Sequence, residues 1–118
     1  MTRTHYRTWV VFEIDCHELK TKIAPSLRAI ATEHESDYFG VYYEIISDYE
    51  EFTLKNNISF DRDENGEEET YLIEEGYPGN STVIEHVSSI ETERITSALA
   101  ELNLIYRKIL DESHNEHD

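Results

Sequence analysis

The sequence predicts an α+β domain: an antiparallel sheet of about four to five strands, with a kinked N-terminal helix and a long C-terminal helix packed on one face. Three observations predict it. Apolar residues alternate with period two over Tyr6–Ile14, and again in short segments between Phe39 and Val87. Apolar residues at three- and four-residue spacing follow Asp15, and a longer run of the same kind follows Ser88. The resulting order is strand, helix, several strands, helix, which suits helices laid on an antiparallel sheet.

In the first strand Tyr6, Thr8, Val10, Phe12 and Ile14 point one way, and Arg7, Trp9, Val11 and Glu13 the other. Apolar side chains on both sides predict a strand covered on both faces. Asp15 with Glu18 resembles a capping box. Leu19, Ile23, Leu27, Ile30 and Ala31 then predict a helix over residues 16–35. Pro25 lacks an amide and crowds the preceding turn, so a break is expected beside it. Residues 39–47, rich in tyrosine and isoleucine, read as a strand. Phe52, Leu54, Ile58 and Phe60 keep one parity, giving either one strand or two short strands about Asn56-Asn57.

Residues 61–69 are polar, with Asn65-Gly66 as a turn signal. Residues 70–74 read as a strand pairing with the segment that ends at Phe60, residues 76–80 as a loop, and Val83, Ile84 and Val87 as a short last strand. Ser88 and Glu91 make a second capping box. Ile95, Ala98, Leu99, Leu102, Ile105, Tyr106, Ile109 and Leu110 follow at helical spacing, with Arg107 and Lys108 where the helix dipole favours cations. This predicts one helix over residues 88–111, its wide apolar stripe suiting a sheet better than a coiled-coil seam. Length predicts a single domain over residues 1–112, and residues 113–118 read as a polar, flexible tail.

The chain of 118 residues has a formal net charge of −16, which disfavours direct binding to nucleic acid or to an anionic membrane. The charge is concentrated. Residues 37–75 carry 13 acidic and 2 basic side chains, whereas the first 36 residues carry 5 of each. Residues 38–77 also hold six of the eight tyrosines. Adaptation to high salt would spread acid over the whole sequence, and this distribution is uneven. The one cysteine, Cys16, cannot form an internal disulfide, so a reduced, cytoplasmic protein is expected. No apolar run is long enough to span a membrane as a helix, and no apolar segment follows the N-terminal charge.

Motifs for chemistry are incomplete. Asp61, Asp63 and Asn65 alternate before Gly66 as in a calcium loop, but the twelfth position is Leu72 rather than a bidentate glutamate. The simpler reading is an Asn-Gly hairpin turn bearing solvated charges. His114 and His117 have i, i+3 spacing without a third zinc ligand. Cys16 and His17 are neighbours, and adjacent residues at a helix start do not face each other. His17-Glu18 and His34-Glu35 lie too far apart along the expected helix to share a metal. No Ser-His-Asp order, phosphate-binding glycine loop or paired cysteines occur. No catalytic residues and no cofactor are expected.

The expected function is therefore a non-enzymatic, acidic inhibitory binding protein. Its partner would be a basic nucleic-acid-binding protein, foremost a nuclease: either a toxin met by its immunity protein or antitoxin, or a target of a phage-type anti-defence DNA mimic. In both settings carboxylates take the places of phosphates against Arg and Lys. The candidate contacts are Glu44, Asp48, Glu50, Glu51, Asp61, Asp63, Glu64, Glu67, Glu68, Glu69, Glu74 and Glu75, with Tyr42, Tyr49 and Tyr71 as aromatic anchors. The alternatives are a small metal-dependent or acid–base enzyme using His17, His34 or the Asp61 loop, and a helix-mediated subunit of a larger complex.

Overall fold

The computed structural model describes residues 2–90 and 94–116. Among these the elements run β1 (Thr2–Val11), α1 (Cys16–Ser26), β2 (Ala31–Ser36), β3 (Gly40–Ile46), β4 (Glu50–Asn56), β5 (Ser59–Arg62), β6 (Glu68–Tyr71), β7 (Thr82–Ser88), α2 (Arg94–Glu101) and β8 (Tyr106–Glu116). Six strands form one sheet in the order β2-β3-β4-β7-β1-β8, with every neighbouring pair antiparallel. Strands β5 and β6 form a separate two-stranded ribbon. The predicted α+β domain of four to five strands with a long C-terminal helix is thus overturned: the fold is mostly sheet, with two short helices.

The long helix fails at Asn103. Helix α2 stops at Glu101, and Asn103 takes a left-handed conformation with φ of 57°. Its amide donates to the Ala100 carbonyl at 3.0 Å, and the Leu104 amide reaches back to the Leu99 carbonyl at 3.1 Å. This pair of bonds is a Schellman cap, in which asparagine is the commonest substitute for glycine. Leu104 packs against the apolar core to which Leu99 belongs. Residues 106–116 then run back as β8 along the whole of β1, from Val11 opposite Tyr106 to Thr2 opposite Glu116. A bulge between Thr8 and Trp9 leaves Ile109 without an opposite residue. Ser113 to Glu116, expected as tail, are the end of this strand. Glu91, half of the expected second capping box, lies outside the described residues. Replacing Asn103 by valine should lower stability by about 1–2 kcal/mol, because a β-branched residue tolerates the left-handed region poorly. Glycine there should leave the denaturation midpoint unchanged or raise it.

The first helix is shortened in the same way. Asp15 caps it, accepting from the Glu18 amide at 2.8 Å. Pro25 falls in its last turn, and the helix ends rather than resuming. Arg28 has φ of 53°, its amide donates to the Pro25 carbonyl, and the Ala29 amide donates to the Ala24 carbonyl, both at 3.0 Å. Residues 31–35, expected as helix, belong to edge strand β2, paired with β3 from Ala31 opposite Ile45 to Ser36 opposite Gly40. Its Thr-Glu-His-Glu run gives no alternating apolar signal, because an edge strand favours charge that deters further pairing.

The segment from Phe52 to Phe60 resolves into β4 and β5, broken at Asn57 and Ile58. One apolar cluster joins the sheet to the helices. Trp9 and Val11 of β1, Tyr43 and Ile45 of β3, Phe52 and Leu54 of β4 and Ile84 of β7 pack against Leu19, Ile23 and Leu27 and against Ile95, Ala98 and Leu99. Fully burying each of the larger apolar side chains contributes about 1.5–3 kcal/mol. The opposite face of the sheet bears no helix among the described residues; Val10 and Val83 are buried there, whereas Glu51, Glu85 and Glu112 are exposed.

Candidate functional site

The candidate acids do not share one fate. Glu50, at the start of β4, points to the helix side and is 5% exposed. Its carboxylate accepts from Arg94 Nε at 2.6 Å and from His86 Nε2 at 3.2 Å. Arg94 also donates to the Leu27 carbonyl at 3.1 Å, tying α2 to the end of α1. The His86 ring stacks on Phe52 with centroids 4.3 Å apart. Glu50 is therefore a structural charge, held away from any partner.

A carboxylate on Nε2 fixes the proton there, leaving Nδ1 of His86 buried without a hydrogen-bond partner among the described residues. Burial holds the His86 pKa below its ordinary value of 6.5; Glu50 opposes the shift, and Arg7 and Arg94 reinforce it. The unfolded chain accordingly takes up a proton more readily than the folded one, and the contribution of neutral His86 is complete above about pH 6.5. It is lost as pH falls from there through the folded value. Denaturant titrations between pH 7.5 and 5.5 should show falling stability, with a shallower fall in His86→Phe. An equal fall in both proteins would contradict the assignment.

Glu44, half-buried, and Glu51, exposed, lie on the face away from the helices. One cross-strand row reads Thr32, Glu44, Thr53, Glu85, Thr8, Leu110, and the next Ile46, Glu51, Val87, Tyr6, Glu112. The structure thus adds Glu85 and Glu112 to this face. Three of the four acids meet a local cation or imidazole: Glu44 lies 3.5 Å from His34, Glu112 lies 3.4 Å from His114, and Glu85 pairs with Lys55. Tyr42 on the same face stacks on His34 at 5.2 Å. Lys55 sits over the Phe39 ring at 4.5 Å. Of these four acids, Glu85 alone meets a fixed cation among the described residues; the imidazoles beside Glu44 and Glu112 add charge only when protonated.

The β5–β6 ribbon concentrates acid with little compensation. Between Ser59 and Tyr71 there are six carboxylates and one cation, Arg62. Asp61 is opposite Glu69 and Arg62 opposite Glu68. Asp61, Glu64, Glu67 and Glu68 are exposed. The Asp63 carboxylate accepts from the amides of Asn65 at 2.8 Å and Glu67 at 2.9 Å, shaping the turn, in which Gly66 has φ of 80°. Arg62 donates to the Gly66 carbonyl at 2.8 Å. Of the cation candidates, Asp61 lies in β5 while Asp63 and Asn65 belong to the hairpin turn, and among the described residues no three His, Cys, Asp or Glu side chains are grouped to hold a metal. Tyr71 donates its hydroxyl to Glu69.

Asp48 and exposed Tyr49 occupy the β3–β4 turn, beside Ser89, whose amide donates to the Tyr49 carbonyl at 2.9 Å. Glu74 and Glu75 lie in the loop between β6 and β7, and this loop is held by a residue that sequence reasoning missed. Asn57 is 0% exposed. Its side-chain amide faces the carbonyls of Glu74, Tyr77 and Pro78 at 3.2, 3.0 and 3.2 Å, and its oxygen accepts from the Glu74 amide at 2.7 Å. Its sequence signal was only the interruption of strand parity at Asn56-Asn57.

The residues of the enzymatic alternative separate. Cys16 is buried, its thiol donates to the Val41 carbonyl, and burial raises its pKa. His17 meets Tyr43 Oη at 2.8 Å, and that hydroxyl donates to Glu33 at 3.2 Å. Tyr43 is on the helix side, whereas His34 stacks with Tyr42 on the other face. His117 lies outside the described residues. Among those described, no helix is long and apolar enough to cross a membrane. No protein-family model matches the chain, and no curated protein matches it.

Proposed function

We propose that the protein is a non-enzymatic, cytoplasmic inhibitor that covers the cationic surface of a nucleic-acid-binding protein, foremost a nuclease. The settings that fit are immunity or antitoxin action against a nuclease toxin, and phage-type anti-defence by DNA mimicry. The observation that carries the reading is the β5–β6 ribbon, where six carboxylates and a single guanidinium project on a narrow, two-stranded element. A charge gradient of this kind accelerates association with a basic surface, and exposed tyrosines such as Tyr49 supply area that slows dissociation. The free, buried Cys16 supports placing the inhibitor in a reducing compartment.

Affinity capture tests the proposal. Immobilised protein, exposed at low salt to extract from its source organism, should retain basic nucleic-acid-binding proteins. Either added salt or competing duplex DNA should release them. Retention that duplex DNA leaves untouched would contradict the reading.

A further inference from the structure

We propose that the cleft between the β2–β3 turn and the β5–β6 ribbon is a socket for an arginine side chain of the cationic partner. The proposal rests on the reading of the chain as a capture surface for a basic protein and narrows it to one anchor. The cleft has a volume of about 500 Å3 and is lined by Asp37, Tyr38, Phe60, Asp61, Arg62 and Glu68. The turn supplies Asp37 and Tyr38, and the ribbon supplies the rest. The two walls are tied together by the Phe60 amide, which donates to the Tyr38 carbonyl at 2.6 Å. Gly40, with φ of 69°, closes the turn at the start of β3, and a Cβ placed there would meet the Phe60 ring at 3.6 Å.

Two features of this cleft point to a guanidinium. Tyr38 is 60% exposed and Phe60 is 43% exposed, so both rings offer surface that the core does not use. Asp37 and Asp61 have no cationic partner among the described residues. Aromatic faces beside carboxylates attract a flat, weakly hydrated cation, which stacks on the ring and donates in-plane to the acids. An ammonium group lacks both the plane and the fork. The chain's own Arg62 is otherwise engaged, its guanidinium bonded to the Gly66 carbonyl at 2.8 Å and 3.7 Å from Glu68. A phosphate or carboxylate ligand would meet three acids against that one engaged cation.

Calorimetric titration with nona-arginine and nona-lysine peptides tests the socket. The arginine peptide should bind about three- to tenfold more tightly than the lysine peptide. In amide NMR spectra its shifts should centre on Asp37, Tyr38 and Phe60. Tyr38→Ala and Asp37→Asn, both at exposed positions, should each bring the two peptides to near parity without moving the melting temperature. Equal affinities in the wild type, or an arginine advantage that survives both substitutions, would overturn the socket and leave the broader capture reading standing. Failure of both peptides to bind would overturn the two together.

Discussion

Glu50→Gln is expected to destabilise the fold by about 2–3 kcal/mol, although glutamine is nearly isosteric with glutamate. The substitution removes the charge that pairs with Arg94 and His86 and turns one acceptor into a donor facing donors. Arg94 remains 41% exposed, so water compensates much of its loss. The larger part of the cost comes from His86, which is 1% exposed and has no other polar partner among the described residues. In denaturant titrations the midpoint should fall while the m-value stays constant. The same variant should bind a cationic partner as the wild type does, because the carboxylate is buried. A change of less than about 0.5 kcal/mol would place Glu50 among ordinary surface charges.

Asn57→Ala should cost about 2–4 kcal/mol, since truncation strands several buried backbone groups at once. The Glu74 amide loses its acceptor, and the carbonyls of Glu74, Tyr77 and Pro78 lose their donor. Aspartate should be no better: it keeps the acceptor for Glu74 but sets a carboxylate against three carbonyls. Hydrogen exchange locates the effect, with protection of the Glu74 amide lost while that of the central strands β4 and β7 falls only with global stability. Unchanged exchange at Glu74 would contradict the role given to Asn57.

These two residues also show what the sequence could and could not convey. Glu50 belongs by composition to an acidic, exposed-looking run, and only the pairing of β4 with β7 places it beside His86. Asn57 resembles a loop asparagine, because the groups it satisfies lie 17 to 21 residues away. Several strands were legible: β1 overlaps the period-two segment from Tyr6, β3 the tyrosine- and isoleucine-rich segment 39–47, and β7 the segment marked by Val83, Ile84 and Val87. Residues 106–110 satisfied the helical spacing by coincidence. Ile105, counted in the predicted stripe, is 71% exposed. The stop signal was a single asparagine at Asn103, whose left-handed backbone is visible only in three dimensions.

Of the candidate surface, the hairpin ribbon and its turn were readable from Asn65-Gly66, and its concentration of charge from counting. The division of the remaining acids was not. Whether a strand residue faces helices or solvent depends on register, and register depends on which strands pair. Pairing here brings in β1, β7 and β8 from both ends of the chain. The charge excess thus resolves into a buried glutamate, a partly neutralised sheet face and a ribbon with little compensation.

The most direct test is the salt dependence of affinity for the captured basic partner, measured for the wild type and for a Glu67→Gln, Glu68→Gln, Glu69→Gln variant. The account predicts at least a tenfold weaker complex at low salt, on the order expected for losing several rim charges, with a visibly shallower dependence of affinity on ionic strength. Unchanged affinity and an unchanged salt slope would contradict it, leaving the ribbon's carboxylates as charges that serve solubility alone.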